Sequence, residues 1–201
     1  MNRNIINALT ISLLNFYVLH DANAVTMVSS DFTKICANAS QILHAKVKNK
    51  KLIPGNGAMS SPVMCYELEV IYQMDRGQRI ANPRICYLGD LQSDNKLVVA
   101  GLKYPTVGEV AVFFVKDVND STVISPLLGW NQGHFIIKNT TDQQESVFTA
   151  GDIAVCGFDQ SKRSRLLNGE AADGLILSSD KEKCSPISLE TFKKKVQQCR
   201  K

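Results

Sequence analysis

The chain lacks the sequence signatures that usually identify a chemistry. It has no P-loop, no G-x-G-x-x-G segment and no EF-hand loop, which leaves nucleotide and calcium sites without support. It has no G-x-S-x-G motif and no Cys-His nucleophile signature, so no catalytic residue is assigned. No C-x-x-C pair occurs and only three histidines are present, so neither metal ligands nor a cofactor are indicated.

An excess of charge of one sign is also missing. The 23 Lys and Arg residues against 19 Asp and Glu give a formal net charge of +4. This excess is too small to require a nucleic-acid or membrane-surface role by itself. The composition, 44% hydrophobic and 21% charged, is typical of a globular protein and excludes disordered, collagen-like and low-complexity chains.

The longest apolar run lies at the start of the chain. Residues 1–24 contain Arg3, an apolar stretch over residues 5–19 and a small-residue A-x-A site ending at Ala24. This order is typical of a secretory signal peptide whose removal leaves Val25 first. A membrane anchor is the alternative, but the run is shorter than the roughly 20 apolar residues that a span needs. We therefore expect export, to the periplasm or beyond the cell, with no membrane span after cleavage.

Six cysteines lie beyond this leader, an even number, and they are Cys36, Cys65, Cys86, Cys156, Cys184 and Cys199. Export places thiols in an oxidising compartment, so we expect three disulfides. A tight turn at Arg76-Gly77 would put Cys65 and Cys86 diagonally on one face of a hairpin, where a small bulge would bring them to bonding distance. We therefore favour a bond between Cys65 and Cys86.

A bond between Cys184 and Cys199 is less natural. A helix that begins after Ser188 would carry Cys199 about 16 Å along its axis, and four linking residues barely reach back that far. One or both of these cysteines should instead join the C-terminal region to Cys36 or Cys156.

Five segments have the pattern of β-strands, and they span residues 41–48, 63–74, 84–88, 110–115 and 127–138. The run 110–115 is apolar on both faces, which predicts a central strand buried on both sides. Gly133 inside the last segment predicts a bulge or a close backbone approach. In the second segment a single core face is predicted for Tyr66, Leu68, Val70 and Tyr72.

Helical spacing of apolar residues predicts a short helix near 31–39 and a second helix after Ser188. Residues 139–185 are polar and broken by glycines such as Gly157, so they are predicted to be irregular, with one strand candidate at 153–156. Short strands joined by hairpin-length connections predict a mainly β fold, a small antiparallel five-stranded OB-like Greek-key barrel with an N-terminal and a C-terminal helix.

The predicted organisation has three parts. Residues 1–24 form the signal peptide, residues 25–138 the OB-like barrel domain, and residues 139–201 an irregular cover with the C-terminal helix packed on the barrel.

The order of four local signals, "ANASQILHAKV", "YELEVIYQMDRG", "YPTVGEVAVFFV" and "LLGWNQGHFIIK", resembles a widespread group of bacterial exported domains. These domains have an OB-like barrel distantly similar to the netrin and tissue-inhibitor-of-metalloproteinase modules, and they largely lack an assigned activity. The resemblance covers roughly residues 25–138. Metalloproteinase inhibitors of the related class chelate zinc through an N-terminal cysteine, whereas the expected first residue here is Val25, so that mechanism is not carried over.

A barrel of this type commonly binds through its loops. The loop expected at 49–61 is rimmed by lysines that could attract a polyanion, although lysines in a loop usually serve solubility and no aromatic ladder accompanies them. The single tryptophan is either a core anchor or an interface residue. The candidate binding surface therefore consists of Lys46, Lys48, Lys50, Lys51, Trp130 and His134.

These features favour an exported non-enzymatic binding or effector module with a protein partner, and polyanion binding is a weaker alternative. A second hypothesis is an inhibitor of a secreted hydrolase that acts through a loop surface. A third, a hydrolase with an unrecognised site, depends on whether His44 and His134 meet a carboxylate such as Glu67 or Glu69 in one cleft.

Overall fold

A computed structural model describes residues 28–55, 61–74, 81–92, 96–116, 124–140, 143–161, 163, 171–179 and 184–200. The predicted leader, the predicted turn at Arg76-Gly77 and residues 117–123 lie outside these residues.

The described residues form two α-helices, one short 3₁₀ helix and eight strands. The helices are α1 (Phe32–Asn38) and α2 (Leu189–Cys199), and the 3₁₀ helix spans Trp130–Gly133. Neither α-helix is long and apolar enough to cross a bilayer. The strands are β1 (Gln41–Ile53), β2 (Val63–Gln73), β3 (Arg84–Leu88), β4 (Val110–Val115), β5 (His134–Asn139), β6 (Glu145–Thr149), β7 (Ala154–Phe158) and β8 (Leu175–Ser178).

Local capping chemistry explains both helix starts. The Asp31 side chain accepts hydrogen bonds from the amides of Thr33 and Lys34, and the Ser188 hydroxyl accepts one from the amide of Thr191. Such side chains satisfy amide groups that the first turn of a helix leaves unpaired. The N-terminal and the C-terminal helix are therefore both present, as the spacing of apolar residues predicted.

The strands form one open antiparallel sheet in the order β3-β2-β1-β4-β5-β6-β7-β8. The mainly β class is confirmed, but the expected five-stranded closed barrel is wrong, because three further strands extend the sheet beyond β5. Of these strands, β7 matches the candidate at 153–156, whereas β6 and β8 are short strands in a stretch that was predicted to be irregular. Gly157, expected to break the chain, lies within β7, and the expected boundary at 138 falls inside β5.

The sheet carries a core on each face. The first, the helix-covered core, lies under α1 and α2 and includes Phe32, Ile42, Val112, Phe114, Phe135 and Phe192. The second, the loop-covered core, lies on the opposite face and includes Leu43, Ala45, Tyr66, Tyr87, Phe113 and Leu127. Strand β4 supplies residues to both in alternation, so the prediction of a central strand buried on both faces is confirmed.

A bulge at Ile71 moves the end of β2 from one core to the other. Before the bulge, Val70 packs against the loop-covered core, and after it Met74 belongs to the helix-covered core. Tyr72 lies directly opposite His44 of β1 and therefore faces the helix side of the sheet. The expectation that Tyr72 continues the core face of Val70 is wrong, since the extra residue breaks the period of two.

Three disulfides join Cys36 to Cys199, Cys65 to Cys86 and Cys156 to Cys184. The predicted bond between Cys65 and Cys86 is confirmed. The two residues are direct neighbours across β2 and β3, with 4.0 Å between their Cα atoms, whereas the turn had placed them diagonally. The other two bonds tie the C-terminal region to Cys36 and Cys156. Three bonds indicate an oxidising environment.

Candidate binding site

The four lysines of the expected surface lie on a strand and not on a loop. Strand β1 runs on to Ile53, so all four belong to it and are exposed. Lys48 forms an ion pair with Glu69 of β2 at 3.2 Å, and Lys46 lies opposite the same glutamate. Neighbouring carboxylates therefore offset part of the positive charge that was expected to attract a polyanion.

The segment that contains Trp130 and His134 connects separate parts of the chain. Trp130 is half-buried against the loop-covered core. Asn131 accepts a hydrogen bond from the amide of Lys103 at 2.8 Å and donates one to the carbonyl of Gly101 at 2.6 Å. These side chains are used inside the fold, so the structure does not present the segment as an open binding surface.

His134 is buried, with 2% of its side chain exposed, and it is paired with Glu109. Its Nε2 lies 2.7 Å from Oε1 of Glu109, and its ring stacks on Phe113 in the loop-covered core. The hydroxyls of Tyr66 and Tyr87 lie in the same core and have no hydrogen-bond partner among the described residues. Burial raises the pKa of both tyrosines above the usual value, and the negative charge of Glu109 adds to this effect.

The two histidines do not meet. His134 faces the loop-covered core, whereas His44 lies opposite Val112 and faces the helix-covered core. Glu67 and Glu69 are exposed on β2. The structure therefore brings together one histidine and one carboxylate, Glu109, that was not among the candidates. Within the described residues, no group of three or more His, Cys, Asp or Glu side chains could hold a metal ion.

A cavity of about 320 Å³, here called the N-terminal cavity, opens beside the start of α1. It is lined by hydroxyl, amide, carboxylate, cationic and apolar groups, which come from Ser29, Ser30, Asp31, Lys34, Ile35, Asn38, Leu128, Gly129, Arg163 and Asp173. Its volume is at the lower end of the range of small-molecule sites, which suits a single side chain or a compact ligand.

Hydrogen bonds between distant parts of the chain build the walls of this cavity. The side chain of Gln132 accepts from the amide of Ser30 at 2.7 Å and donates to the carbonyl of Val28 at 3.1 Å. The amide of Phe32 donates to the carbonyl of Asp173 at 2.9 Å, and the amide of Asp173 donates to the carbonyl of Ser30 at 2.8 Å. The residues before α1 are thus held on two sides, and the cavity between these sides is well defined.

The charges of the cavity are arranged with carboxylates inside and cations at the rim. The side chain of Asp173 is 9% exposed and accepts from the Ser29 hydroxyl at 2.9 Å and from Arg163 at 3.0 Å. Arg163 itself is 79% exposed, and Lys34 is exposed as well. One carboxylate oxygen of Asp31 caps α1, and the other accepts no hydrogen bond from a described residue. Arg163 offsets the negative charge of Asp173, so the carboxylate of Asp31, which has no ion pair among the described residues, is the group that favours a positively charged ligand.

Sequence reasoning missed this cavity because its residues lie far apart in the chain. Nothing local in the sequence connects Asp31 to Asp173 or to Gln132. Gln132 lies in the segment 127–138 that was predicted to be a strand, and no local pattern indicates that its side chain supports another part of the chain.

Comparisons of this chain with known protein families, with curated proteins and with solved structures find no match.

Proposed function

We propose that the protein is an exported, disulfide-stabilised, non-enzymatic binding module that holds a basic side chain of a protein partner in the N-terminal cavity. The observation that carries this proposal is the open carboxylate oxygen of Asp31 in a cavity that also contains the buried Asp173, whose charge Arg163 offsets. We also propose that the chain is related to the exported OB-like domains that its sequence resembles. Its sheet differs from their barrel in being open and in having eight strands.

The cavity offers complementary contacts to a lysine or arginine side chain. Ile35, Leu128 and Gly129 supply apolar surface for the methylene stem. The open carboxylate oxygen of Asp31 can accept a hydrogen bond from the charged head, and hydrogen bonds that involve an ionised group are the stronger kind. Asp173 already accepts from Ser29 and from Arg163, and the guanidinium offsets its charge, so Asp31 is the main contact for the charged head.

Export is supported by the leader-like first 24 residues and by the three disulfides. The oxidised chain should capture its partner from the natural surroundings in moderate salt, with mass spectrometry as the readout. Recovery of nucleic acid or acidic glycan alone, lost at high salt, would contradict a protein partner. Recovery of one stoichiometric hydrolase in an inhibited state would identify the binding as inhibition.

The cavity is tested with Asp31→Asn, because asparagine caps a helix about as well as aspartate and only the negative charge is lost. Partner recovery should fall by about tenfold, as expected for one charge-assisted hydrogen bond. Lys34→Gln should raise recovery, since it removes a repelling cation. Asp152→Asn is the matched control, because it removes an exposed carboxylate that does not line the cavity.

The class of side chain is tested with blocked tripeptides Ala-Xaa-Ala in which Xaa is Arg, Gln or Glu. In NMR titrations the Arg peptide should shift the amides of residues 29–35 and the Gln peptide should shift them less. Preferential shifts with the Glu peptide would show that the cavity takes an acidic group and would overturn this assignment.

A further inference from the structure

His44 is a buried histidine with no hydrogen-bond partner. Only 2% of the residue is exposed, and neither Nδ1 nor Nε2 has a partner among the described residues. Buried polar side-chain atoms are usually hydrogen-bonded, so an imidazole with two open nitrogens is unusual. A neutral ring tolerates this position, whereas an imidazolium would bring a charge and two unsatisfied donors into the core.

The surroundings of His44 are defined on every side. Across β1, it lies opposite Tyr72 of β2 and Val112 of β4, and both pairings place it on the helix side of the sheet. Lys193 of α2 and Glu145 of β6 are the charged residues whose fields act on it. Val112 is apolar, so among the described residues Tyr72 is the titratable neighbour across the strands, and Lys193 and Glu145 act on the ring through their charges.

Lys193 connects this histidine to the C-terminal helix. Its Nζ lies 5.0 Å from the centre of the Tyr72 ring. Tyr72 is the residue of β2 that lies directly opposite His44. Glu190, one turn earlier in α2, is 4.0 Å from the same ammonium group. A positive charge on His44 would therefore repel Lys193, whose contact with Tyr72 lies beside the apolar packing of Phe192 on Phe114 and Phe135.

We propose that His44 is an acid-sensitive latch, and that its protonation loosens α2 from the sheet at the contact between Lys193 and Tyr72. The helix stays attached at its end, because Cys199 is bonded to Cys36 and Arg200 donates to the carbonyl of Ala39 at 2.6 Å. The response is thus a local opening and not global unfolding.

The direction of the pH effect follows from linkage. Burial, the largest effect, lowers the pKa of His44 from 6.5, Glu145 raises it less and Lys193 lowers it further. Opening returns the ring to water and to an ordinary pKa, so the open state binds the proton better. The stability of the closed state relative to the open state is complete above pH 6.5. It decreases as the pH falls from 6.5 towards the lowered pKa of His44 in the closed state.

Hydrogen exchange of α2 in the oxidised chain purified after export tests the latch. Protection of residues 189–199, corrected for intrinsic exchange rates, should fall several-fold between pH about 7 and about 5, where histidine is the side chain that titrates. In His44→Phe this fall should disappear. In His134→Gln, the control for the other described histidine, it should persist, because glutamine can still donate to Glu109.

Two outcomes would overturn the proposal. The first is equal loss of protection in the native chain and in His44→Phe, and the second is no loss in the native chain. If His44→Phe does not fold, Lys193→Gln gives an independent test. In this variant the decrease in protection of residues 189–199 at low pH should be smaller than in the native chain. An unchanged fall in Lys193→Gln would contradict the role of this lysine and hence the latch.

Discussion

Gln132 holds Ser30 in place across 102 residues of sequence, with its Oε1 2.7 Å from the Ser30 amide nitrogen. The same side chain donates to the carbonyl of Val28, and only 1% of the residue is exposed. One amide side chain thus satisfies a donor and an acceptor of the backbone that forms a wall of the N-terminal cavity.

Gln132→Ala should lower the free energy of unfolding by about 1–3 kcal/mol, because it leaves these backbone groups without their partner. Chemical denaturation measures the change, and hydrogen exchange should show faster exchange at residues 28–31. Gln197→Ala, an exposed position on α2, is the control and should change stability little. Equal stability of the two variants would contradict the supporting role of Gln132.

Gly133→Ala should lower the free energy of unfolding by at least about 2 kcal/mol. A Cβ atom at Gly133 would lie 2.6 Å from the carbonyl oxygen of Leu128, a backbone atom that cannot move aside cheaply. Gly157→Ala is the matched control, since its Cβ would meet the side chain of Ile176 at an ordinary 3.4 Å. Denaturation midpoints of the two variants are compared. Similar midpoints would contradict the close approach of the Leu128 carbonyl to Gly133.

Stability should fall as the pH rises above 10, where tyrosine ionises in the unfolded chain. Burial of Tyr66 raises the pKa of its hydroxyl above this value, and the folded state therefore binds the proton more strongly. The stabilisation is complete below pH 10 and is lost as the pH rises from 10 towards the raised pKa.

Tyr66→Phe should weaken this alkaline loss and leave stability at neutral pH unchanged or slightly higher, because it removes a buried hydroxyl without a partner. Tyr72→Phe is the control, since Tyr72 is 42% exposed, and it should leave the alkaline loss as it is. Denaturation at pH about 8 and about 11 measures both. If Tyr66→Phe lost as much stability at high pH as the native chain does, a group other than Tyr66 would be responsible for the loss.

The disulfides should contribute unequally to stability. Cys36 and Cys199 are 163 residues apart, whereas Cys65 and Cys86 are 21 apart. The longer loop restricts the unfolded chain more, and chain entropy gives a difference of roughly 2 kcal/mol in favour of the longer loop. Alanine replacement of each pair, followed by denaturation, should destabilise the Cys36 and Cys199 variant more. The reverse order would mean that native-state packing outweighs loop entropy.

The parts of the fold with strong local patterns were predictable. Strands β3 and β4 have the expected bounds, because each is a compact run of strand-forming residues between turns. The two helices predicted from the spacing of apolar residues are present, and each begins directly after a capping side chain, Asp31 or Ser188. Gly133 was predicted to mark a bulge or a close approach, and the backbone of Leu128 does come close there.

Other features depend on register, which no local pattern carries. The bulge at Ile71 turns Tyr72 towards His44, and a single extra residue is enough to reverse every later side chain of the strand. The candidate site has the same origin, because Gln132 and Asp173 reach the residues before α1 only when the sheet is assembled.

The sequence by itself determined the β-rich class, the two helices, the central strand and the even set of cysteines, since these follow from propensity, periodicity and parity over a few residues. Only the tertiary structure decided the open eight-stranded order, the partners of Cys184 and Cys199, and the carboxylates beside α1. These depend on contacts between elements that are separate in the chain, up to 163 positions apart for Cys36 and Cys199, and their energies arise from burial and pairing that a linear chain does not reveal.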